Sequence, residues 1–178
     1  MPLPARRLML AALSLACVGA CALPANYSAM AAGAPPGQAP APVYRNAVTV
    51  GSVTLGRDIG TPWTSAVSAD QVQQALVQTL AAAGLGQSAS GRFRLDGQLL
   101  TLSRPYAGFA MTVTAAIAWR LTDTTNGAVV YDRVLQGLGT ATLDDAIDNG
   151  KRLRIADQRA IGANLQQLVQ DLSALPSL

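Results

Sequence analysis

From residue 109 to 121 the chain alternates strictly. Phe109, Met111, Val113, Ala115, Ile117, Trp119 and Leu121 point one way, and Ala110, Thr112, Thr114, Ala116, Ala118 and Arg120 point the other. A period of two sustained over that length predicts a strand with one face in a core. Asn126-Gly127 then predicts a tight turn into a partner strand, AVVYDRVLQGLGTAT. Upstream, GRFRLDGQLLTLSRP sets Phe93, Leu95 and Gly97 against Arg94, Asp96 and Gln98, a third strand with one wet face. NAVTVGSVTLG begins the folded part, where Val48 and Val50 share a face until Gly51-Ser52 shifts the alternation to Val53 and Leu55, as a bulge does.

The period changes in two places. In SADQVQQALVQTLAAAGLG, Val72, Ala75, Leu76, Leu80 and Ala83 recur at helical spacing. Ser68 and Gln71 supply a capping box, and Gly84 followed by Leu85 supplies a left-handed stop. In residues 143 to 175, Leu153, Ile161, Leu165, Leu168, Leu172 and Leu175 form one stripe, with Arg152, Arg159, Gln166 and Gln170 opposite. Asn149-Gly150 either breaks this helix or marks its start. Asp157 interrupts the stripe one turn after Arg154, which predicts a local pair or an overhang beyond the sheet. Gly162 predicts a close backbone approach to the sheet. The order β-α-β-β-β-α predicts an α+β domain: a four-stranded, mostly antiparallel sheet with two helices packed on one face.

Ahead of that domain, Arg6 and Arg7 precede an apolar run from Leu8 to Val18, the layout of a secretory signal, too short to span a bilayer. The V-G-A-C junction at 18 to 21 resembles the bacterial lipobox, in which the cysteine receives diacylglycerol and becomes the new N-terminus. Cys21 is then the lipidated residue, and Cys17, whose upstream neighbours fit worse, leaves with the leader. An ordinary signal peptide cut after Ala20 or Ala22 is the alternative. The lipobox resemblance divides the chain into a leader (1–20), an acylated cysteine with a Pro/Ala/Gly-rich tether (21–43), and a periplasmic domain (44–178). As an extended tether, residues 22 to 42 span up to about 65 Å and bury little. Ala22 stands where an inner-membrane retention signal carries aspartate, so the resemblance implies the periplasmic face of the outer membrane.

Composition narrows the chemistry. The net charge of +3 falls to about +1 once the leader's two arginines are removed, and no basic run remains, so nucleic acid is not an expected partner. The sequence has no histidine, which removes a Ser-His-Asp triad, a Cys-His pair and ordinary zinc catalysis. GLGQSA at 84 to 89 fits a dinucleotide fingerprint only in letters, since it leaves a helix instead of opening one. Asp144, Asp145 and Asp148 lack the spacing of a calcium loop and suit a helix N-terminus. The expectation is a non-catalytic protein with neither metal nor cofactor.

Lipobox, proline-rich segment and element order together resemble a group of small Gram-negative outer-membrane lipoproteins that includes the LPS-assembly lipoprotein. That resemblance implies a membrane-anchored protein that binds or scaffolds an envelope protein. The alternative is an auxiliary lipoprotein of an envelope transport system whose sheet and helices clasp a lipid or LPS acyl chain. Trp63, Tyr106 and Phe109 are the candidate partner contacts, aromatic residues in or beside loops. Of these, Phe109 continues the apolar face of Met111 and is expected in the core.

Overall fold

The computed structural model describes residues 26–56, 67–86, 90–105 and 108–177. Cys21, Trp63 and Tyr106 lie outside them. The expected α+β architecture is present. Strands β1 (Val48–Leu55), β2 (Phe93–Ser103), β3 (Met111–Asp123) and β4 (Val129–Ala141) form one sheet in the order β1-β2-β3-β4. A short α1 (Tyr27–Met30) precedes them, α2 (Ala69–Ala82) connects β1 to β2, and α3 (Asn149–Ser173) ends the fold. The α2 crossover makes β1 parallel to β2, while β2, β3 and β4 form the antiparallel meander. None of the described helices is long and apolar enough to cross a membrane.

Local chemistry sets the boundaries. Gln71 N donates to Ser68 Oγ at 3.2 Å and Ser68 N to Gln71 Oε1 at 3.0 Å, the reciprocal box that starts α2. At the other end Gly84 adopts φ +69° and Leu85 N reaches back to Leu80 O at 3.0 Å, turning Leu85 into the core. Asp148 caps α3 by accepting from Lys151 N at 2.7 Å, so Asn149-Gly150 marks the helix start. The β1 register shifts between Val50 and Val53, where Gly51-Ser52 bulges.

One face of the sheet is the core. Leu95 pairs with Leu121, Leu99 with Ile117, and Ile117 with Leu135, all buried beneath α2 and α3. Gly97 faces Trp119, whose ring occupies the space a side chain there would need. The indole Nε1 donates to the buried Asn164 Oδ1 at 2.8 Å, and Asn164 Nδ2 donates to Leu135 O at 2.7 Å. A polar side chain in mid-core is therefore tolerated because its bonds are made.

Five expectations need correction. Phe109 is not core: the strand ladder ends at the Met111 to Ala141 pair, and Phe109, in the turn before it, is 81% exposed. Gly162 approaches α1 rather than the sheet, since a Cβ there would stand 3.2 Å from Met30 O. The close approach to the sheet occurs at Gly137 and Gly139, where a Cβ would come within 2.0 to 2.2 Å of the α3 backbone. Arg152, expected on the wet face of the last helix, is buried, and Asp157 pairs with Arg104 rather than Arg154. Finally, the segment through Pro42 does not stand free along its whole length. Met30 is fully buried, Ala32 N donates to Thr79 Oγ1 at 2.9 Å, and the Tyr44 ring packs 4.9 Å from Phe93.

Candidate functional site

At the end of the sheet where β3 begins and β4 stops, two loops meet the N-terminus of α3. The turn after β2 brings Arg104, which forms a fork with Asp157: Nε to Oδ1 and Nη2 to Oδ2, both at 2.8 Å. Both side chains are buried or nearly so. Burial pushes the Asp157 carboxyl above its ordinary range, with Arg104 pulling against it. The pair ties the end of β2 to α3, and breaking such a buried pair is expensive.

Arg152 does the same for the second loop with neutral partners. Its Nη1 donates to Ala146 O at 2.9 Å and Ile147 O at 2.6 Å, and its Nη2 to Gly108 O at 3.2 Å and Asn149 Oδ1 at 2.8 Å. A buried guanidinium near a helix N-terminus sits at the unfavourable end of the macrodipole. Those oxygens offset the cost, and in doing so they hold the carbonyls of Gly108 and Ile147 on one group. Next to those carbonyls stand two of the most exposed large apolar side chains among the described residues, Phe109 and Ile147, the latter 89% exposed. Leu143 is exposed on the same loop. Arg159 braces that loop by a fork onto Asp145 at 2.6 and 2.9 Å, holding the Asp145 carboxyl down at about 2. These cations fix backbone and carboxylates, and nothing in the arrangement pairs a nucleophile with a base.

The sheet face away from the helices is a second exposed surface. Val134 and Leu138 project from edge strand β4 beside Ala116 and Ala118 of β3, with Thr112 and Thr140 hydroxyls 3.0 Å apart at one end. A shallow groove of about 280 Å³ continues across it, lined by Ser52, Thr54, Asp96, Gln98, Arg120 and Asp132. Burial raises the Asp96 carboxyl, but bonds from Ser52 N at 2.8 Å and Arg94 Nε at 2.9 Å outweigh it, so it titrates below the ordinary range. Arg120 and Asp132 pair at 2.7 Å in the open, a contact of small energetic weight.

Of the residues singled out in the sequence, Phe109 reaches an exposed loop tip, and Cys21, Trp63 and Tyr106 fall outside the described residues. Ile147 and Arg152 were missed. The signal for Ile147 was available: in DDAIDN it is a large aliphatic residue set among acids just ahead of the helix start. Among the described residues no group of three or more acidic, Cys or His side chains could hold a metal. On the inner face, the contact of α3 with Gly137 and Gly139 leaves no width for an acyl chain between that helix and β4.

No family model matches the sequence, and neither does any curated protein. Solved structures do share the fold. A Xanthomonas campestris protein of family DUF330 is 14% identical, with a TM-score of 0.56 over 78% of this chain and 89% of that one. PelC from Paraburkholderia phytofirmans, crystallised as a dodecamer, is 18% identical, with a TM-score of 0.51 over 77% of this chain and 94% of that one. A minor lipoprotein from Acinetobacter baumannii is 16% identical over 74% and 92%, at a TM-score of 0.46. At these identities the likeness to the first two is one of fold alone.

Proposed function

We propose that this chain is a non-catalytic lipoprotein, anchored through Cys21 at the periplasmic face of the outer membrane, that binds or scaffolds an envelope protein. The anchor rests on V-G-A-C at 18 to 21 and on an apolar leader of secretory length. The observation that carries the binding role is the uncovered face of β4, where Val129, Val134 and Leu138 are exposed on a strand with a free edge. An uncovered apolar patch on an edge strand invites contact with another chain. The resemblance to the LPS-assembly group supplies the partner class, an outer-membrane barrel protein.

The test is capture from detergent-solubilised outer membranes with the wild-type protein and with Leu138→Asp. A stoichiometric partner held by the wild type and lost from the folded variant supports the reading. Equal capture by both, or no partner, removes it. Mass measurement of the purified protein covers the remaining outcome, self-association through the same edge, which would replace an envelope partner by a second copy.

A further inference from the structure

The path of the chain from Asn26 orients the domain. Tyr27 lies beside Asp70, Gln73 and Gln78 of α2, Ala32 is bonded to Thr79, and Tyr44 reaches Phe93 and the carbonyl of Pro176. Helix α2 runs toward Leu85, whose carbonyl accepts from Val48 N, and Phe93 pairs with Asp123 beside the Asn126-Gly127 turn. From Asn26 onward the chain thus travels away from the end that carries Phe109 and Ile147. Asn26 therefore lies nearer the Phe109 end than Tyr44 does. Cys21 is five residues upstream, a reach of at most about 18 Å of fully extended chain. An acylated Cys21 therefore holds the domain close to the bilayer, far nearer than a free tether through residue 42 would.

We propose that the loop end of the domain, with Phe109, Ile147 and Leu143 as its apolar tips, rests in the same leaflet that takes the acyl chains of Cys21. The proposal builds on the acylation reading above. Two or three apolar side chains bind a membrane weakly by themselves. Once the lipid anchor is in place their insertion is intramolecular, so contacts too weak to bind a membrane alone suffice to orient the domain on it. Rigidity suits the tips to that task, because one guanidinium, that of Arg152, holds the carbonyls beside both Phe109 and Ile147. Charges of both signs are exposed around them, Asp144, Asp148 and Lys151, so the apolar contact and not an anionic headgroup carries the attachment. The open face of β4, which runs along the sheet, stays available to a protein.

Depth-dependent fluorescence tests this. In the mature protein Cys21 is blocked by its thioether, so Phe109→Cys, Ile147→Cys and Ala128→Cys each offer one thiol for an environment-sensitive dye. Residues 109 and 147 are exposed tips, and Ala128, also exposed, is in the turn at the opposite end. The labelled, acylated proteins are placed in phosphatidylethanolamine/phosphatidylglycerol vesicles carrying spin-labelled acyl chains. Dyes at 109 and 147 are expected to be quenched several-fold and shifted to the blue, consistent with burial about 5–10 Å into the interface, while the dye at 128 is unaffected. Unquenched dyes at 109 and 147 on a protein whose mass shows intact acylation overturn this orientation and leave the anchor standing. Quenching at 128 instead places the opposite end on the membrane. A mass without diacylglycerol removes the anchor reading, and this inference with it.

Discussion

Strand β4 presents two surfaces of opposite design. Toward the helices it carries Leu135, Gly137, Gly139 and Ala141, all buried, and the two glycines let the α3 backbone lie almost on the strand. Toward solvent it carries Val134 and Leu138, 56% and 65% exposed, with Asp132, Gln136 and Thr140 between and beyond them. By hydropathy alone the glycine side reads as the weaker core candidate and the Val/Leu side as the stronger. The packing reverses that order. Side-chain size along the inner face is limited by the helix, whereas the outer face keeps exposed apolar volume at Val134 and Leu138. Burial of one is a property of the fold, and the other stays open to solvent.

Substitutions on the covered side should be costly and those on the open side nearly free. The largest effect is expected from Asp157→Ala, which breaks the buried fork with Arg104 and should cost about 3–5 kcal/mol in urea unfolding, whereas Asp132→Ala, breaking the exposed pair with Arg120, should cost at most about 1 kcal/mol. Similar losses for the two would erase the distinction between the surfaces. Met30→Ala should cost about 2–5 kcal/mol, because that side chain is fully buried against the domain. A much smaller loss would mean that the 26–44 segment is an external strap. Gly139→Ala should cost near the upper end of about 1–3 kcal/mol, since its Cβ would stand 2.2 Å from both Ala156 O and Ala160 N. A neutral result would show that α3 can lift from the strand.

A smaller effect separates two carboxylates by pH. Asp145 titrates at about 2 under Arg159, below the ordinary value of about 3.9. Its contribution to stability is therefore present at neutral pH and is lost as the pH falls through that interval. Asp157 has the opposite sign. Its raised value means that the contribution linked to its protonation is present below the ordinary value and is lost as pH rises through the folded one. Urea midpoints from pH 5 to 2 should fall less steeply for Asp145→Asn than for wild type. Parallel curves would mean that the Arg159 fork does not survive in solution.

Much of this fold was legible because periodicity and capping act locally. The bulge at Gly51-Ser52, the Ser68 box, the Gly84 stop and the Asn126-Gly127 turn all lie where their residues imply. The failures share a cause, which is contact with distant segments. Phe109 continues an alternation that the strand itself does not, because the ladder ends when β4 runs out at Ala141. Arg152 reads as a solvated residue until the 108 and 147 carbonyls, far apart in sequence, are brought to it. Met30 sits in a proline-rich, aperiodic stretch whose burial depends wholly on α2 and α3 already being in place. The candidate contacts were partly legible for the same reason: an aromatic residue near a turn can be noted from sequence, but whether it turns inward is decided elsewhere.

The smallest expected change in stability is the one that sharpens the comparison most. Leu138 is an apolar residue on a strand interior, and on the covered side such a residue would cost about 2–5 kcal/mol when truncated. Exposed as it is, Leu138→Ser removes little buried area and should shift unfolding by no more than about 0.5 kcal/mol. Serine also lowers β propensity, so a slight loss is expected rather than none. If Leu138 contributes to a partner interface, the same variant should weaken capture by more than about tenfold, equivalent to 1.4 kcal/mol. Melting and capture measured on one preparation separate the cases. Unchanged melting with weakened capture assigns the apolar volume of this face to recognition. A large drop in melting would show that Leu138 is covered within the protein itself, and the two faces of β4 would then be alike after all.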